Sequence, residues 1–221
     1  MAYNQTAAPD IDIIDHQLSY DSHNTYDVIF FGDSIYTTVT HDPVVVSNWI
    51  SEVESVHHRR LHHLVVGLDV EWRPSFNRNH SNPAATLQLC VGRRCLIYQL
   101  IHSPYIPNSL IDFLANPSYT FVGIGVDQDM EKIEEDYEFE SNASTVDLRV
   151  LAAESYRRPE LKSAGLRTLA GVVLERDVEK PRAVTMSRWD HRWLTPAQVQ
   201  YACVDAFVSF EIGRILDASS F

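Results

Sequence analysis

The sequence predicts an α/β domain in which one mixed, five-stranded sheet is flanked by helices. Three observations carry that expectation. Residues 64–72, LVVGLDVEW, form a near-continuous apolar run, the pattern of a strand buried on both faces. Two further strand-like stretches, 85–91 and 94–99, meet at Gly92-Arg93, a hairpin break. From residue 107 onward helical and extended patterns alternate, as they do when a crossover helix adds a parallel strand.

Taken in order, residues 1–24 are polar and aperiodic and are expected to form a flexible arm, leaving 25–221 as the domain. Residues 26–31 and 34–39 flank Gly32-Asp33 and predict a first hairpin. Asp42 as N-cap and Pro43 in the first turn open a helix whose apolar positions Val46, Trp49, Ile50 and Val53 follow helical spacing to near His57. A helix is expected over 107–115, a strand over 120–125, a helix over 127–137 and a short strand near Thr145-Val146. Helices over 148–156, 163–174 and 196–217 complete the chain. No internal repeat or convincing linker divides it.

Composition narrows the function classes. The 221 residues contain no apolar run approaching the ~18 needed to cross a bilayer. Asp10, Asp12 and Asp15 precede any basic residue, the reverse of a targeting segment, so a cytoplasmic or nuclear protein is expected. Cys90, Cys95 and Cys203 form no C-x-x-C knuckle and read as reduced, buried thiols.

A net charge of −12 excludes a protein that coats nucleic acid by counterion release alone. The distribution says more than the sum. Residues 1–60 hold nine acids against two bases and residues 127–147 nine against one, whereas 149–192 hold ten Lys or Arg against six acids. Any polyanion would meet that late segment, or bound metal ions.

Asp69 and Glu71 are one residue apart on the central strand, so both carboxylates leave the same face, ~6 to 7 Å apart along it. Like charges beside an apolar run repel unless a cation lies between them, which points to a divalent metal site. Acids at a strand end can also be simply solvated. Asp127 follows a strand and glycine turn; it also suits a helix N-cap, and Asp129 competes with it, the strand-to-helix junction favouring Asp127. Tyr201 and Asp205 are four residues apart and share one face of the last helix, where small Ala202, Ala206 and Ser209 would allow close approach to the sheet. A core hydrogen bond between them is the plainer alternative.

Leu68-Asp69-Val70-Glu71-Trp72, Gly123-Ile124-Gly125-Val126-Asp127 and Tyr201-Ala202-Cys203-Val204-Asp205-Ala206 together resemble the three motifs of the DEDDy subgroup of DnaQ-like 3′-5′ exonucleases. Within that subgroup the likeness is to the Werner syndrome-like exonuclease family, plant branch. The segments 83–90, 166–170, 187–189 and 194–201 extend the resemblance to roughly residues 26–216.

The resemblance implies a ribonuclease H-like fold. It also implies two Mg²⁺ or Mn²⁺ ions held by Asp69, Glu71, Asp127 and Asp205, with Tyr201 orienting the attacking water. The expected substrate is the 3′ end of nucleic acid, single-stranded RNA of the small-RNA-pathway type ahead of DNA. The alternatives are a Werner-type DNA exonuclease in repair and a non-catalytic nucleic-acid or protein-binding module.

Substrate contact is expected from Trp72, Phe76, Leu87 and Gln88, and phosphate contact from Arg157, Arg158, Lys162 and Arg188, with Lys180, Arg182 and Arg192 as further candidates. A homo-oligomer completing the groove, and an RNA-processing or repair protein, are the expected partners. His58 and His62 would lie one turn apart on a helix, as zinc ligands can, yet no Cys or carboxylate partner is nearby.

Overall fold

The computed structural model describes residues 10–75 and 81–221. Phe76, expected to contact substrate, lies outside them. Eight strands occur among the described residues: β1 (Ile11–Asp15), β2 (His23–Phe30), β3 (Asp33–Thr40), β4 (Leu64–Trp72), β5 (Ala84–Val91), β6 (Arg94–Tyr98), β7 (Tyr119–Gly123) and β8 (Thr145–Asp147). They form one mixed sheet in the order β1-β2-β3-β6-β5-β4-β7-β8.

The expectation of five strands is therefore corrected to eight. The first hairpin joins the sheet by parallel pairing of β3 with β6, and β1 adds an antiparallel edge to β2. Part of the expected arm is thus a strand. Ile11 and Ile13 alternate with exposed Asp12 and pack against the core, the two-residue period of a half-buried strand.

Helix α1 (Pro43–Val56) starts where Asp42 accepts a hydrogen bond from the Val44 backbone N–H, and it buries Val46, Trp49, Ile50 and Val53. It packs against α2 (Asn108–Leu114) and β6. Helices α3 (Val126–Tyr137) and α4 (Leu148–Tyr156) follow β7 and β8. The helix expected over 163–174 is broken instead. A 3-10 turn (Pro159–Ser163), a short α5 (Leu166–Leu169) and a π-type turn (Ala170–Leu174) share that stretch. After α6 (Arg182–Thr185), helix α7 (Pro196–Ile215) begins at a capping box in which Thr195 and Gln198 satisfy each other's backbone.

Helix α7 crosses β4, β5, β6 and β7 and is buried along most of its length. Its approach to β4 is set by Gly67, where a Cβ would collide with the Ala206 carbonyl oxygen and come within 2.7 Å of the Phe210 nitrogen. Side chains alternate along a strand, so Asp69 and Glu71 share Gly67's face and look toward α7. Among the described residues no helix is long and apolar enough to cross a membrane.

Candidate metal centre

Oxygens of Asp69 and Glu71 on β4 and of Asp205 on α7 lie within 4.8 Å of one another. Residues 136 positions apart in sequence meet because Gly67 lets the helix backbone rest on the strand one turn away from Asp205. Oδ2 of Asp69 is buried and has no hydrogen-bond partner among the described residues.

Electrostatics mark the site as strongly acidic. Burial, then the charges of Glu71, Asp205 and Asp129, push the Asp69 carboxyl well above the usual range. Burial, then Asp205, raises Glu71 to about 8, and burial alone raises Asp129 to about 7. Asp205 is raised by burial, against which Lys180 and the Tyr201 phenol work.

On α3 it is the charge of Asp129 that reaches Asp69 and Glu71, while the three-carboxylate cluster itself includes neither Asp129 nor the expected Asp127. Asp127 is exposed and accepts a hydrogen bond from the Thr145 hydroxyl. Helix geometry explains the difference. With α3 burying Val126, Met130 and Ile133, position 129 falls at the margin of that stripe, whereas position 127 projects ~100° away from Val126. The helix start is pinned by Gly125, whose left-handed conformation (φ 70°) and N–H bond to Asp147 Oδ2 at 2.9 Å fix the turn. Arg149 holds Asp147 in turn, its Nε 2.9 Å from Oδ1.

Tyr201 sits one turn before Asp205, and burial followed by the charge of Asp205 pushes the phenol far above its ordinary value. A cavity of about 480 Å³ opens beside Tyr201 and Asp205, walled by Ile11 and Phe31 on one side and Pro181 and Val184 on the other. Lys180 was a candidate only for phosphate contact, yet its Nζ lies 2.6 Å from Asp205 Oδ2. Burial opposes the ammonium, but Asp205, Asp69 and Glu71 together raise its pKa.

The other expected contacts divide. Leu87 and Gln88 are fully buried, so neither presents a surface to a substrate. Gln88 is the register partner of Asp69, and its amide donates to Thr86 Oγ1 at 2.6 Å. Trp72 is half-buried, with the Lys132 ammonium 5.1 Å from its ring centroid. Arg157 and Lys162 are exposed; Arg158 pairs with Glu160 at 2.8 Å, and Arg188 with Asp190 at 3.3 Å. His58 and His62 do not share a helix, because α1 ends at Val56.

The chain matches the family model described as 3′-5′ exonuclease over residues 37–219. It is 34% identical over 153 residues to a 3′-5′ exonuclease of Arabidopsis thaliana, covering 68% of this chain and 52% of that one. To the bifunctional 3′-5′ exonuclease/ATP-dependent helicase WRN of Mus musculus it is 30% identical over 149 residues, 67% of this chain and 10% of that one. Its fold is similar to that of Escherichia coli RNase D, an exoribonuclease involved in structured RNA processing, with a TM-score of 0.67 at 18% identity over 82% of this chain and 44% of that one. That likeness carries the ribonuclease H-like architecture. The chain spans about half, or less, of the length of these proteins.

Proposed function

The chain belongs to the 3′-5′ exonuclease family, and from that premise we propose that it removes nucleotides from the 3′ ends of single strands with divalent cations held by Asp69, Glu71, Asp129 and Asp205. One observation carries the reading: three carboxylates from two elements converge within 4.8 Å around a buried, unpartnered Asp69 oxygen. Like charges so placed require protons or a cation between them. An all-oxygen donor set suits Mg²⁺ or Mn²⁺, and two ions is the number implied by the resemblance.

Bound there, divalent ions supply Lewis acidity toward the entering and leaving oxygens of a phosphodiester. The chain's own part is to hold four acceptor groups on rigid elements, with β4 and α7 fixing three of them. Tyr201 keeps its proton at every working pH, so its Oη donates rather than abstracts and its role is to orient the attacking water. The cavity beside it is bordered by Asp205 and gives the terminal nucleotide a place at that edge of the cluster. RNA ahead of DNA, as the resemblance implies, belongs to the same proposal.

The test is a 5′-labelled single strand, RNA and DNA in parallel, incubated with Mg²⁺ or Mn²⁺. Stepwise 3′ shortening that disappears with EDTA and in Asp69→Ala is expected, and faster for RNA. Absence of shortening by the wild type with either metal would sink the enzymatic reading.

A further inference from the structure

The end of the sheet that carries the carboxylates has a second concentration of chemistry. Register partners run in a row from Val70, between Asp69 and Glu71, through Leu87 and Tyr98 to Thr40 and His23. With strands ~4.8 Å apart, the row spans ~10 Å from β4 to β6 and ~19 Å to β2. At its far end lies a groove of about 120 Å³ whose walls include Tyr20, His23, His41, Gln99, Arg192 and Trp193.

Trp193 is 61% exposed and Tyr20 62%. Two large aromatics open to solvent at one groove are not the scattered singles of an ordinary surface. Tyr20 stacks on His23 with ring centroids 5.2 Å apart and planes 12° from parallel. The Arg192 guanidinium lies 5.9 Å from the Trp193 ring centroid and 3.4 Å from His41 Nε2. Burial, then Arg192, lowers the pKa of His41, so its ring is neutral and free to stack.

The support is firm. The Gln99 amide donates to the carbonyls of His191 and Arg192 at 3.3 and 3.0 Å, holding the backbone that presents Trp193. Asp21 is the only carboxylate in the groove lining. Exposed π faces interleaved with a guanidinium match bases and the phosphates between them better than they match an aliphatic protein surface.

We propose that this groove is a stacking site for single-stranded nucleic acid, holding bases a few nucleotides upstream of a 3′ end that lies at the carboxylates. Trp193 and Tyr20 take the bases and Arg192 the intervening phosphate. This rests on the exonuclease reading of the neighbouring site.

The experiment measures anisotropy of 5′-labelled single strands of four and twelve nucleotides with the full chain in EDTA. The twelve-mer is expected to bind ~10-fold more tightly than the four-mer, a gain abolished by Trp193→Ala and kept by Trp193→Phe, in line with the worth of one base–aromatic stack. Tyr156→Ala, an exposed tyrosine on α4, should keep wild-type affinity. Wild-type affinity of Trp193→Ala for the twelve-mer overturns the proposal and leaves the groove to a protein partner. Adding Mn²⁺ separates the two readings. Shortening by a wild type whose binding ignores Trp193 retires the stacking site alone; Trp193-dependent binding without shortening retires the exonuclease reading and leaves the stacking site standing.

Discussion

Nζ of Lys180 lies 2.6 Å from Oδ2 of Asp205 and 5.4 Å from the centroid of the Tyr201 ring. The lysine side chain is 32% exposed and the aspartate 4%, so the ammonium reaches in from solvent to a carboxylate that has little other compensation. It occupies the same electrostatic niche that a divalent cation would use.

Replacing Lys180 by Met should therefore have two opposite effects. The metal-free protein should lose ~2 kcal/mol of stability, the usual worth of a charged hydrogen bond. Mn²⁺ affinity by calorimetry should rise ~10-fold, because no positive charge opposes the incoming ion. Unchanged or weaker Mn²⁺ binding would show that Lys180 does not compete for Asp205.

Asp127 and Asp129 are two residues apart and should behave differently. Asp129→Asn is expected to weaken Mn²⁺ binding and lower the shortening rate by on the order of 10²- to 10³-fold, the range for losing one electrostatic contact at a reacting centre. Asp127→Asn, which removes an exposed charge but keeps an oxygen to accept from the Thr145 hydroxyl, should stay within ~2-fold of wild type, as an exposed substitution usually does. Reversed outcomes would restore Asp127 to the site.

Protonation should govern metal uptake. Glu71 at about 8 and Asp129 at about 7 must lose their protons before they ligate, so affinity should rise with pH through that window and binding below it should release protons. Calorimetry in two buffers of different ionisation enthalpy counts those protons; none released at pH 6 would refute the expectation.

The same shifts set a stability trend. Folding favours the neutral form of Glu71, so its contribution is greatest at low pH and declines between about 4.5 and about 8, where the unfolded carboxyl is ionised and the folded one still holds its proton. Below pH ~6.5 the low-held His41 and His57 pull the other way, gaining stability as pH rises, so the informative quantity is a difference between proteins. In EDTA, Glu71→Gln should melt above wild type at pH 8 and converge with it toward pH 5.

Tyr201→Phe removes one hydroxyl that donates without titrating. The shortening rate should fall ~10²-fold, at the modest end for a group that positions a proton or water, while Mn²⁺ affinity changes less than ~2-fold. A matching loss in both would assign Tyr201 to holding Asp205 instead.

Residues whose roles follow from short-range geometry were legible in the sequence. Asp69 and Glu71 on one strand face, and Tyr201 one turn from Asp205, need only the periods of strand and helix. The choice between Asp127 and Asp129 also needed the buried stripe of α3, whose phase the pattern Val126, Met130, Ile133 carries. Lys180 was beyond reach because its partner is 25 residues away across an irregular segment. Strand β1 was missed because three aspartates masked the alternation of Ile11 and Ile13.

Gly67 has a consequence for how such a site tolerates change. The separation of Asp69 from Asp205 is set where one main chain lies directly on another, with no side chain between them. Enlarging or trimming the surrounding apolar residues alters how tightly the layers fill, but leaves that spacing untouched. The dimension on which the chemistry depends is thereby decoupled from the hydrophobic interior that drifts most readily under mutation.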